Sequence, residues 1–253
     1  MTAGRTRVDP HVKVLDERVV DRARESGIDT LVYAPHFTRL SEIRDRAERY
    51  STDEVTVVPA REVFTGDWGN RRHLLAVGLS DPVPDFITFE AALAEFERQG
   101  AAVLVPHPEF MNVSLTRAEV SAYRDRIDAV ETYNAKLFEY QNDRGTRIAE
   151  AFDLPAFGSS YAHLRGTIGA AWTEFEGDVR GEAALVEALK EGSARSVVKH
   201  TDPATRLRRL AEFAHLGYEN SYGKLDRLFL SGMEATHPRH IAYDGRFDDV
   251  AVY

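Results

Sequence analysis

Residues 55–79 read VTVVPAREVFTGDWGNRRHLLAVGL, and the fold is decided around this stretch. Val55–Ala60 is a short run rich in β-branched residues, the composition of a strand. The polar loop Thr65–Arg72 contains Gly66 and Gly69, and His73–Leu79 is a second apolar run. Two such runs around a glycine-containing loop are consistent with a hairpin. Glu62 closes the first run and His73 opens the second, so a hairpin brings both to one end of a sheet.

Working outward, short apolar runs alternate with longer amphipathic segments on both sides. Upstream, His11–Leu15 and Thr30–Ala34 read as strands. Glu17–Gly27 and Glu42–Tyr50 read as helices, the second with Ser41 as N-cap. Downstream, helices are predicted over Phe89–Gln99, Thr116–Arg126, Gln141–Phe152, Gly181–Lys190 and Pro203–Leu216. Strands are predicted over Ala101–Val105, Ile127–Tyr133, Leu154–Phe157, Thr167–Thr173 and Ala194–Lys199. This alternation is the pattern of a parallel α/β architecture. With no internal repeat and no linker, it suits one barrel or layered domain with a C-terminal appendix. In Pro203–Leu216, Leu207, Leu210, Ala211 and Ala214 share a face that packs on the barrel or on a second subunit, leaving a homo-oligomer open. The tail Thr236–Asp249 is polar and broken by Pro238 and Gly245.

The 253 residues are 43% apolar and 29% charged, which excludes a disordered or fibrous chain. Acidic residues outnumber basic ones 41 to 32, a net charge of -9 that argues against a general nucleic-acid coat. No window approaches the apolar length of a membrane span, and a soluble, cytoplasmic protein is expected. There is no cysteine, so disulfides, thiolate zinc sites and cysteine nucleophiles are excluded. Any metal must be held by His, Asp or Glu. Lysine stands only at positions 13, 136, 190, 199 and 224, against 27 arginines.

Of nine histidines, five fall at converging positions. His11 lies at the first strand, and His36 closes the second. His107 closes another, within Pro106-His107-Pro108, while His73 opens the return of the hairpin. His163 follows the run Phe157–Ala162. In a parallel barrel the C-terminal strand ends meet on one face, where such folds place their chemistry. Imidazoles and carboxylates suit Zn, Mn or Fe, and a site with few protein ligands leaves positions for water. Phosphoester hydrolysis by an activated water is the natural reaction for such a cluster. His200, His215, His237 and His240 show no convergent placement. Arg71 and Arg72 either hold a substrate phosphate or lie in a solvated loop.

The ordered segments from Asp9 to Phe175 resemble the PHP (polymerase and histidinol phosphatase) family. The opening Asp-x-His-x-His of that family is matched by Asp9-x-His11-x-Lys13, and its Asp-His by Pro35-His36. Its Gly-x-Glu appears as Ala60-Arg61-Glu62 and its His-x-x-x-x-Gly as His73 to Gly78. His107-Pro108 is intact, and Glu131-x-Tyr133-Asn134 is similar to its Glu-x-x-Asn. Ser160-Tyr161-Ala162-His163 stands for Ser-Asp-x-His. The resemblance implies a distorted (β/α)7 TIM-like barrel of about seven strands, over residues 1–200, with a C-terminal helical and loop extension over 201–253 packed on it.

It also implies a phosphoesterase acting on a small phosphorylated metabolite or nucleotide through a metal-bound hydroxide. The metal ligands implied are His11, His36, Glu62, His73, His107 and His163. Glu62 bridges or holds metal, and His11 or His163 assists proton transfer. Lys13, Tyr161, Arg71 and Arg72 fall to substrate binding. Lys13 and Tyr161 replace two ligands and Pro35 an acidic residue, so one or two divalent ions (Zn, Mn or Fe) are expected, with Glu62, His73 and His107 as the complete group. An ammonium at position 13 can neutralise Glu62 where a cation would sit. Tyr161 either fills vacated space or donates its hydroxyl to a bound phosphate. The competing reading is a degenerate relative that binds a phosphorylated ligand, or serves an accessory role, without turnover.

Overall fold

The computed structural model describes residues 4–67, 70–200, 211–212, 214–215 and 235–252. The strands are β1 (Arg5–Val12), β2 (Thr30–Tyr33), β3 (Thr56–Thr65), β4 (Arg72–Val77), β5 (Ala102–Val105), β6 (Ala129–Asn134), β7 (Ala156–Ser159), β8 (Ala171–Glu176) and β9 (Arg195–Lys199). The helices are α1 (Glu17–Glu25), α2 (Leu40–Tyr50), α3 (Phe89–Arg98), α4 (Arg117–Ala122), α5 (Glu139–Phe152) and α6 (Glu182–Lys190). One sheet runs in the order β7-β6-β5-β4-β3-β2-β1-β8-β9. It curls into a nearly closed barrel.

Pairing is parallel from β1 to β3 and from β5 to β7, and antiparallel at β3–β4 and β4–β5. The predicted hairpin is therefore present, with Phe64 opposite His73. Two strands beyond the implied seven continue the sheet, β8 antiparallel to β1 and β9 antiparallel to β8. The seam between β7 and β8 is joined by a side chain, since the Thr173 hydroxyl accepts from the Gly158 amide at 2.9 Å and donates to its carbonyl at 3.0 Å. A Cβ at Gly158 would lie 2.3 Å from Val197 of β9, so only glycine permits this approach.

One inward-facing residue after another fills the barrel: Val8, Val32, Ala34, Val58, Ala60, Leu75, Val77, Ala102, Leu104, Ala129, Phe157 and Phe175, with Leu185 and Leu189 of α6 against them. Period-2 alternation carries this face forward to His36, Glu62 and His73. On β1 the alternation breaks. Val8 belongs to the interior cluster but Val12 packs with α1 and α2 outside, and the β1–β2 register shifts between Asp9 and Val12. This irregularity re-aims the end of the strand, and His11 and Lys13 turn inward.

Several predicted boundaries move. β1 starts at Arg5 rather than His11, because Arg5 and Arg7 are the exposed alternates of a strand and pair with Glu174 of β8 at 2.7 and 3.3 Å. β3 continues to Thr65, because Arg61 is wholly buried and forms a 3.0 Å ion pair with Asp85 inside the protein. α2 starts at Leu40, so Ser41 lies within it. The helix predicted over Thr116–Arg126 splits into α4 and a 3-10 turn at Arg124–Arg126. The strand predicted over Thr167–Thr173 begins at Ala171, after a 3-10 turn at Arg165–Thr167.

The helix predicted over Pro203–Leu216 lies mostly outside the described residues, as do Leu207 and Leu210. Residues 211–212 and 214–215 are helical, but Ala211 and Ala214 are exposed while Glu212 is wholly buried. Residues 235–252 touch the barrel directly: Tyr243 and Phe247 join the core beside α3, and the amide of Val252 donates to the Phe86 carbonyl. Among the described residues, no helix is long and apolar enough to cross a membrane.

Candidate metal centre

Glu62 is the hub of the inward-facing cluster. Its two oxygens face different partners. Oε1 lies 3.0 Å from His107 Nε2, 3.3 Å from His73 Nδ1 and 3.6 Å from His11 Nε2. Oε2 accepts from Lys13 Nζ at 2.5 Å and lies 3.0 Å from His36 Nδ1. Lys13 also donates to the Ala34 carbonyl at 2.5 Å. One carboxylate thus has an imidazole side and an ammonium side.

His163 joins the same cluster, its ring 5.8 Å from that of His36. Tyr161 fills the middle, with ring distances of 4.5 Å to His11, 5.1 Å to His107 and 4.7 Å to His163. All five histidines singled out in the sequence are therefore brought together, with Glu62, Lys13 and Tyr161. His36, 22% exposed at its side chain, is the most solvent-accessible of them. Arg72 points elsewhere, its Nε held by Glu119 at 2.7 and 2.8 Å. Arg71, two residues before His73, is buried.

The local backbone is built to aim these groups. His107 and Tyr161 have φ of 33° and 47°, a region that non-glycine residues adopt under constraint and that recurs at functional sites. His107 is held there by its amide, which donates to Glu131 Oε2 at 2.6 Å. Its Nδ1 meets the Ser114 hydroxyl at 2.8 Å, which fixes the ring and turns Nε2 toward Glu62. Glu131 accepts further from Ser159 at 2.5 Å and Asn134 at 3.0 Å. It organises the site from behind rather than lining it.

The residues present fit a divalent ion. One ligand atom each from Glu62, His73 and His107 falls within 4.8 Å of the other two, and all three side chains are buried. Both ring nitrogens of His11 and of His73 are buried without a hydrogen-bond partner, an arrangement that calls for a missing ligand or solvent. Neutral imidazole plus carboxylate is a donor set for Zn, Mn or Fe.

The charge states agree. Burial favours protonation of Glu62, but the Lys13 ammonium, then His36, His11 and His73, outweigh it and hold the carboxyl well below its usual range. Burial, reinforced by Lys13, pushes His11 and His36 down to about 3, so both rings are neutral at neutral pH. Burial raises Asp9 to about 7.

These shifts give a signed prediction. Between about pH 3 and 6.5 the unfolded chain binds protons on His11 and His36 that the folded chain refuses, so stability rises with pH. Asp9 opposes this between 3.8 and about 7, since there the folded form holds the extra proton. The Tm of metal-free protein is expected to fall as pH drops from 6.5 to 4.5, and Asp9→Asn to steepen the fall. Calorimetry at several pH values checks both signs.

Sequence reading missed two residues. Lys136 is buried, its Nζ 3.0 Å from His163 Nδ1 and 4.9 Å from the centre of the Tyr161 ring. Glu212, from the C-terminal segment, accepts from Leu164 N at 2.9 Å and from the Thr167 hydroxyl at 2.5 Å. The scarcity of lysine in an arginine-rich chain was the available signal for Lys136. Nothing local marked Glu212, which reads as the polar face of a helix.

With this geometry in view, the comparisons with known proteins agree on the fold. A family model described as PHP-associated matches residues 139–194. An uncharacterized protein of Methanocaldococcus jannaschii is 26% identical over 125 residues, 47% of this chain. The match spans about half (51%) of that relative's length. The crystal structure of PsfC from Pseudomonas syringae superposes with a TM-score of 0.65 at 20% identity, covering 85% of this chain and 99% of that one. A two-domain protein from Bacteroides vulgatus, described as containing a predicted PHP-like metal-dependent phosphoesterase, gives a TM-score of 0.60 at 17% identity, covering 83% of this chain and 70% of its own. The PHP-associated match covers less than a quarter of the chain, and the two solved structures share its barrel fold.

Proposed function

We propose that this chain hydrolyses a phosphoester of a small metabolite or nucleotide with one divalent ion held by Glu62, His73 and His107. The observation that carries the proposal is the convergence of those three ligand atoms beside imidazole nitrogens buried without partners. The metal-dependent phosphoesterase named for the B. vulgatus neighbour adds support from a shared fold. When bound, such an ion polarises a phosphoryl oxygen and lowers the pKa of a water.

The chain's own groups do the rest. His11 and His36, held neutral at neutral pH, present ring nitrogens that can accept a hydrogen bond from a water or a substrate hydroxyl. His163 takes the corresponding position across Tyr161. Lys13 supplies a fixed positive charge on Glu62 Oε2, so a second metal beside that oxygen would be unnecessary. Tyr161 packs between the imidazoles and limits water around them. In this reading, residues 1–200 form the catalytic barrel and residues 201–253 pack on it, in a cytoplasmic protein.

One observation favours a second reading, a binding protein without turnover: Lys13 sits directly on the oxygen that a further cation would need. The two separate in an assay of metal-supplemented protein against aryl phosphates and nucleotides. Hydrolysis is expected, and chelation or His107→Ala should return it to background. Metal-loaded protein that turns over none of these substrates contradicts the catalytic proposal and leaves the binding reading.

A further inference from the structure

Behind His163 lies a group of donors aimed at a single anion. The Glu212 carboxylate fills it and is wholly buried. Its Oε1 accepts from the amides of His163 and Leu164 at 3.2 and 2.9 Å and from the Thr167 hydroxyl at 2.5 Å. Its Oε2 is 3.4 Å from the His163 amide and 3.8 Å from Lys136 Nζ. Lys136 is 1% exposed at its side chain, and its Nζ also lies 3.0 Å from His163 Nδ1.

The occupant fits the donors unevenly. Three of them crowd onto Oε1, whereas the ammonium stands beyond hydrogen-bond distance of Oε2. A planar carboxylate has two oxygens to offer. A tetrahedral oxyanion has more, spread in three dimensions, and can meet the amides, the hydroxyl and the ammonium together. Successive backbone amides with a hydroxyl and a buried ammonium form an anion-binding concavity. A clamp that merely tied the C-terminal segment to the barrel would not require a buried ammonium inside the histidine cluster.

We propose that the His163 and Leu164 amides, the Thr167 hydroxyl and the Lys136 ammonium form a phosphate subsite beside the metal centre, and that Glu212 occupies it as an internal competitor. Ligand phosphate and the Glu212 carboxylate then exclude each other, so the C-terminal segment tunes affinity at the site. The choice of phosphate as the anion rests on the phosphoester reading above. Binding itself needs neither metal nor turnover.

The test is titration of metal-free protein with inorganic phosphate, followed by calorimetry. Glu212→Ala is expected to tighten phosphate binding at least tenfold, and Lys136→Met in that background to return it to the native level. Glu212→Gln, which keeps the shape and drops the charge, should give an intermediate gain. If Glu212→Ala folds poorly, phosphate in the refolding buffer should restore it, and a failure to do so counts against the subsite. A folded Glu212 variant with native phosphate affinity overturns the proposal, as does a gain that survives Lys136→Met. Failure of the turnover assay alone bears on the hydrolase reading and leaves this result standing.

Discussion

Replacing Glu62 by Ala is expected to destabilise the protein by about 3–5 kcal/mol, the range for stranding one member of a buried ion pair, and to abolish tight metal binding. Both effects follow from the same carboxylate. Oε2 is the anionic partner of Lys13, whose side chain is 3% exposed and would lose this carboxylate while keeping the Ala34 carbonyl. Oε1 is the shared neighbour of His73 and His107. Chemical denaturation measures the first loss and metal content the second. Because the stability loss arises from an orphaned ammonium, Lys13→Met combined with Glu62→Ala should be less destabilised than Glu62→Ala alone. A double variant no more stable than the single one would show that Lys13 is not the stranded charge.

The second large effect is expected at Asp85, which neither contacts the histidines nor stands out in the sequence. Its Oδ2 lies 3.0 Å from the guanidinium of Arg61, and both side chains are wholly buried. Its Oδ1 accepts from the Phe64 amide at 2.9 Å. These bonds grip β3 on either side of Glu62. Asp85→Ala leaves a buried guanidinium that, among the described residues, keeps the carbonyls of Thr38 and Val83, again a loss of about 3–5 kcal/mol. Asp85→Asn keeps an acceptor for Phe64 and should lose less. Metal affinity should weaken with Asp85→Ala as the end of β3 shifts. A loss below about 1 kcal/mol, the scale of an exposed pair, would mean the Arg61 charge is compensated elsewhere.

The inward face of the barrel was open to sequence reading because it follows a period of two. His36 continues Val32 and Ala34, Glu62 continues Val58 and Ala60, and His73 precedes Leu75 and Val77. The hairpin loop explains how a residue that opens a strand can meet one near the end of its partner. What escaped was whatever breaks that period or comes from far along the chain. β1 was hidden by its exposed arginines and its register shift, and the reach of β3 by a buried arginine whose partner is 24 positions away. Lys136 and Glu212 act through burial, and burial of a charge is visible only once its partners are assembled. Lys13 lay between these cases: its place in a ligand motif marked it, and its scarcity in an arginine-rich chain made the substitution conspicuous.

The most direct test is the number of divalent ions bound per chain, measured by elemental analysis after equilibrium dialysis against Zn or Mn. One tightly held ion per native chain is expected, lost on His73→Ala and on His107→Ala. No tightly held ion, or one retained undiminished without His73, contradicts a metal centre at Glu62, His73 and His107.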